Sequence, residues 1–118
     1  MRRIKYFLYK KEIDRVETIK AYIQANPDKD LSINFIVGLF HISRTTLQRH
    51  FYAHEKTSIH AFIFECRMEN AQKLLHSGDL SIHEISQAVG FGSFSAFTRG
   101  FHQYFGYNPT DFRKRSTS

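Results

Sequence analysis

Apolar side chains recur every three or four residues through most of this chain, and capping or turn residues cut the runs into helix-sized pieces. Ile13, Val16, Ile19, Tyr22 and Ile23 share one face of a helix over 12–25, which Asn26 and Pro27 stop. Ser32 caps a helix over 33–40 with Ile33, Ile36, Val37 and Phe40 inward. His41 follows at a turn where a left-handed backbone is expected, a conformation that histidine tolerates. Ser43 caps the next helix, 44–54, with Leu47 and Phe51 inward and Arg44, Thr45, Gln48 and Arg49 toward the open side. Ser58 caps a long helix, 59–76, whose stripe is Ile59, Phe62, Ile63, Cys66, Ala71, Leu74 and Leu75. At about 27 Å it is long enough to hold two small modules apart. Gly78 ends it. Ser81 and Glu84 form a capping box for a helix over 82–88. Gly90, Phe91 and Gly92 make a turn, and Ser93 or Phe94 opens a helix over 94–105 with Phe97, Phe101 and Phe105 inward. Gly106 ends that helix, and Pro109 starts a short last one carrying Phe112, Arg113, Lys114 and Arg115. Residues 1–11 are basic and aromatic without a clear period, and read as a flexible arm or a linker stub.

The pattern contains a repeat. Leu31, Ser32, Ile33 and Ile36 match Leu80, Ser81, Ile82 and Ile85, and Phe40 and Ile42 match Val89 and Phe91. The register then slips by one residue, so that Leu47, Arg49 and Phe51 match Phe97, Arg99 and Phe101. Each copy reads as helix, tight turn, helix, the helix-turn-helix of DNA-binding proteins. The expected architecture is all-α with about seven helices: an arm over 1–11, a first helix-turn-helix lobe over 12–57, a connecting helix over 58–77, a second lobe over 78–115 and a tail over 116–118.

Charge sharpens this picture. The 118 residues carry a net charge of +6, which favours a polyanionic partner. Its distribution says more. No acid occurs from Leu31 to His54, nor from Ile85 to Thr110, and both windows cover the second helix of a repeat. Phosphates repel carboxylates, so a DNA-facing helix requires such a surface. Hydrophobic content is 42%, enough for a core, yet no apolar run is long enough for a membrane-spanning helix. No signal peptide is visible, and the single cysteine, Cys66, allows no internal disulfide. Both fit a cytoplasmic protein.

The second half carries a more specific signature: Arg67, Ala71 and Leu74-Leu75, then IHEISQAVGF, then FTRGFHQYFGYNPTDFR. With this spacing the chain resembles, over about residues 12–114, the DNA-binding domain of AraC/XylS-type bacterial transcription regulators. The resemblance implies a bi-lobed domain whose lobes each put their second helix into a major groove, the two grooves about 34 Å apart on one face of the duplex. By position in the motif, Arg44, Thr45, Gln48 and Arg49 would face bases in the first lobe, and Ser95, Thr98 and Arg99 in the second. Ser43, His50, Ser93, His102, Arg113 and Lys114 are the candidate phosphate contacts. The sequence departs from the family pattern at Lys56, where a glycine usually ends the first recognition helix, at Val37 and Ser86, usually alanines, and at Gly100, inside the second recognition helix.

Other chemistry is thin. His50 and His54 have a metal-site spacing, but no acid or cysteine nearby in sequence completes a set, so exposed or phosphate-facing histidines are expected. Cys66 falls on an apolar stripe and reads as core. There is no P-loop and no nucleophile with a base, so no enzyme activity, metal or cofactor is expected. The expected partner is double-stranded DNA, with RNA polymerase a candidate second one and no membrane. The chain should bind as a monomer, unless it is part of a longer protein, in the cytoplasm at the bacterial nucleoid. The competing reading uses the same helices for RNA or protein docking.

Overall fold

The structure, a computed structural model, describes residues 2–26 and 31–117. Seven helices occur among these residues, and no strand: α1 (Arg2–Ala25), α2 (Ile33–Phe40), α3 (Arg44–Glu55), α4 (Ile59–Ser77), α5 (Ile82–Ala88), α6 (Phe94–Phe105) and α7 (Pro109–Thr117). The all-α expectation is met, and the starts of α2 to α7 fall where the caps and turn residues put them.

The departure is at the amino terminus. Residues 2–11 continue α1 and do not form an arm. Their periodicity is invisible because they have no core to face: Ile4, Tyr6, Phe7, Leu8 and Tyr9 are all more than half exposed. Arginine, lysine, leucine and tyrosine without glycine or proline let the helix propagate outward from its packed half, since extending a nucleated helix is far easier than starting one.

The described residues form two units, one running to Ile63 and the other beginning at Phe64. The division falls inside α4, so the helix expected to be a separate connector contributes its first turns to one core and the remainder to the other. In the first unit α1 and α2 both pack on α3. Its core is Val16, Ile19, Ile23, Leu31, Ile33, Ile36, Ile42, Leu47, Phe51, Ile59 and Ile63. Lys20 of α1 reaches Glu55 of α3 at 2.7 Å. That hydrogen bond, first among the causes, holds the Lys20 ammonium above the ordinary lysine range.

In the second unit α5 and α7 pack on α6. Met68, Ala71 and Leu75 of α4, Ile85 and Val89 on the α5 side, and Phe97 and Phe101 of α6 are fully buried. Met68 lies outside the stripe read from the sequence, yet it is a centre of this core. Phe64 of α4 explains Gly100. A Cβ on Gly100 would lie 3.0 Å from Phe64 Cε2, so the glycine makes room for a ring. The helix accepts a propensity cost of about 1 kcal/mol there in exchange for that close approach.

Candidate nucleic-acid interface

Two helix-turn-helix heads are built by the same local devices. In the first, the Ser32 hydroxyl accepts the Phe35 N–H at 3.2 Å and starts α2. His41 ends it in the expected left-handed conformation, φ 53° and ψ 48°. The Ile42 N–H then donates back to the Val37 carbonyl at 3.2 Å. In the second head, Ser81 and Glu84 close a reciprocal capping box at 3.0 Å in both directions. The Ser81 backbone N–H, the largest cause, and its hydroxyl hold the Glu84 carboxyl below the usual carboxylate range. Gly90 takes the left-handed position at φ 90°. The Phe91 N–H returns to the Ser86 carbonyl at 3.2 Å, as Ile42 returns to Val37. Both turns therefore close the same loop, one with glycine and one with histidine.

Each recognition helix has a serine cap. Ser43 accepts from the Thr46 N–H at 3.1 Å and donates to the Thr46 hydroxyl at 2.8 Å. Ser93 accepts from the Ala96 N–H at 3.0 Å. These hydroxyls, expected at phosphates, already serve their own helix starts. Their exposed position at a helix amino terminus still suits an anion.

On α3, Leu47 and Phe51 are buried, while Arg44, Thr45, Gln48 and Arg49 are exposed. The fold brings all four to the open side. Tyr52, four residues beyond Gln48 and 60% exposed, shares this face. Its spacing from Gln48 already signals that placement in the sequence. Arg44 is not free in solvent: its guanidinium Nη2 donates to the Asn34 side-chain oxygen of α2. Lys56 ends α3 in the left-handed region at φ 60°, a conformation that favours glycine.

On α6, Ser95, Arg99 and His102 are exposed, and Thr98 is half-buried. Thr98 donates its hydroxyl to the Ser95 carbonyl at 3.0 Å, and Arg99 Nε lies 3.4 Å from the same oxygen. Phe94 opens the helix at 40% exposure, stacked on His83.

The remaining phosphate candidates divide. Lys114 is exposed on α7, and Arg113 is half-buried. His50 is a correction. Its side chain is only 17% exposed and Nε2 lies 3.4 Å from Glu12 Oε1 of α1. His54, at 11%, meets Glu12 Oε2 at 3.3 Å and tilts against the Tyr9 ring. Both histidines face a carboxylate from α1, an acid far away in sequence, instead of an open surface. Among the described residues no group of three or more histidines, cysteines and acids could hold a metal ion. Among the same residues no helix is long and apolar enough to cross a membrane.

Residues 36–115 match a family model described as a helix-turn-helix domain. The chain belongs to the AraC/XylS-type helix-turn-helix family. As an AraC-type DNA-binding domain it is 37% identical over 99 residues to the Msm operon regulatory protein of Streptococcus mutans, which covers 84% of this chain and 36% of that protein. Its fold matches the C-terminal domain of AraT, a response regulator from Geobacillus stearothermophilus, with a TM-score of 0.82 at 28% identity, covering 86% of this chain and 84% of that one. A DNA-binding transcriptional dual regulator from Escherichia coli K-12 matches with a TM-score of 0.76 at 26% identity, covering 87% and 92%. The AraC-type domain spans between 24% and 36% of the length of the first curated relatives it matches.

Proposed function

We propose that this chain is the DNA-reading part of a transcription regulator and recognises double-stranded DNA sequence-specifically through two major grooves, one for α3 and one for α6. The observation that carries the reading is the exposed, acid-free face of each recognition helix, framed by a capped helix-turn-helix. The names of the relatives support it: one regulates an operon and another is a DNA-binding transcriptional regulator.

Within this reading Arg44 and Arg49 take guanine edges, Gln48 takes adenine, and Thr45, Ser95 and Thr98 serve several bases. Arg99 supplies the second head's full charge. Ser43, Ser93, His102, Arg113 and Lys114 hold phosphates, and His50 leaves that set because its side chain is mostly buried with Nε2 against Glu12. The richer chemistry of α3 gives the first head the larger share of sequence preference. The chain works by binding alone, without turnover, cofactor or metal, in the bacterial cytoplasm. RNA polymerase is its second partner when bound at a promoter.

Two different heads in one chain select two different boxes in fixed order, so the site is asymmetric, about 15–20 base pairs, and bound by one copy. Selection from a random duplex pool, followed by footprinting and the mass of the complex, tests this. The expected result is one chain per duplex with two major-groove contacts. A palindrome bound by two chains would sink the monomer reading. Failure to enrich any duplex, with capture of folded RNA instead, would overturn the DNA reading itself.

A further inference from the structure

Both recognition helices begin with a side chain held by the helix before it. Arg44, the first residue of α3, donates to Asn34, the second residue of α2. Phe94, the first residue of α6, stacks on His83, the second residue of α5, with ring centroids 4.9 Å apart and planes inclined by 19°. Asn34 and His83 are mates in the internal repeat, and Arg44 and Phe94 are mates after its one-residue slip. The fold therefore makes the same joint twice, once with a hydrogen bond and once with a ring stack.

We propose that Phe94 reads the C5-methyl group of a thymine, and that His83 is the positioning residue that fixes the Phe94 ring for it. This rests on the reading of α6 as a groove-entering helix. The amino-terminal residues of such a helix are the ones that meet base edges. A phenyl ring has no donor or acceptor, and the thymine methyl is the apolar feature that major-groove edges present. Phe94 keeps 40% of its surface exposed while one face is covered by His83, so it offers a held apolar edge. Its neighbour Ser95 is exposed beside it, and no acid lies between Ile85 and Thr110 to oppose the backbone of the same groove. The mate position in the first head carries an arginine, so the two heads differ most in chemistry at this joint: a guanine-type contact in one and a methyl contact in the other.

The test uses the 118-residue chain and a duplex selected from a random pool. Thymines in the box read by α6 are replaced one at a time by uracil, which lacks the methyl group. For wild type, one such replacement should weaken binding about fourfold, the worth of one methyl withdrawn from water. Phe94→Ala and Phe94→Gln should bind thymine and uracil duplexes equally at that position, with thermal melting close to wild type. His83→Ala should lose most of the discrimination without a change in melting, and His83→Phe, which keeps a stacking ring, should restore it. The proposal is overturned if every uracil duplex binds wild type as tightly as its thymine parent, even though the selected site is still recognised. It is equally overturned if the uracil penalty survives in both Phe94 variants. A pool that yields no preferred duplex would remove the underlying reading of α6 as well, and so is distinguishable from both.

Discussion

Truncating Phe101 to alanine should unfold the second unit and leave the first largely intact. The ring is fully buried and meets Phe105 at 4.6 Å, Phe97 at 5.9 Å, Tyr107 at 6.0 Å and Phe112 at 6.3 Å between centroids. Removing a side chain of this size from the core forfeits about 1.5–3 kcal/mol of transfer free energy. Edge and tilted ring contacts add about 0.5–1.5 kcal/mol for a pair, and the four pairs share one ring, so they do not sum. The neighbours come from α6, α7 and the loop between them and cannot all move into the gap, so a cavity term remains. Together these place the cost at about 3–5 kcal/mol, the usual range for a buried Phe→Ala change. A unit of about 55 residues, from Phe64 to the end of the sequence, has a total stability of only about 3–8 kcal/mol. Hydrogen exchange resolved by helix is the assay. Amides of α5, α6 and α7 should lose protection in Phe101→Ala, while those of α2 and α3 keep it. Unchanged protection in α6 would refute the assignment of Phe101 as the centre of this core. Preferential loss in α2 and α3 would refute the division into units.

Three further outcomes follow from particular contacts. Arg49→Ala should lose about 1–3 kcal/mol of binding to a selected duplex while retaining most non-specific binding; an equal loss on all sequences, seen by competition binding, would make Arg49 a phosphate contact. Gly100→Ala should lower the stability of the second unit by about 1 kcal/mol, because crowding against Phe64 at 3.0 Å outweighs the helix-propensity gain. The double variant with Phe64→Leu should recover the loss in urea melts, and a plain stabilisation by Gly100→Ala would contradict the steric account. Glu84 has a folded pKa below its ordinary value of 4.5, so its contribution is fully present above that value and is lost as pH falls through the lower folded one. Melting of wild type and Glu84→Ala should therefore differ at neutral pH and converge in acid, and a gap that widens in acid would reverse the sign.

The sequence by itself determined what depends on neighbours along the chain. Helix starts are hydrogen bonds that an amide N–H three residues on donates to a serine hydroxyl, so Ser32, Ser43, Ser58, Ser81 and Ser93 mark them. Helix ends needed a left-handed residue within the same turn, which His41 and Gly106 supply. Apolar spacing located most of both cores, and the repeat paired the two heads. The exposed sides of α3 and α6 followed from the same periodicity, which is why most of the candidate base readers were legible. Tertiary structure alone decided contacts between positions far apart in sequence. Glu12 turns His50 and His54 inward across some forty residues of chain, and no local pattern reports such a meeting. Gly100 looks like a weak point in a helix until Phe64 is seen against it. The Asn34–Arg44 and His83–Phe94 joints likewise arise only when two helices cross, since their partners are ten or eleven residues apart and belong to different helices. The outer half of α1 stayed unread for the opposite reason. It packs on no core, so its helical state is carried by backbone cooperativity and leaves no apolar period for a sequence to display.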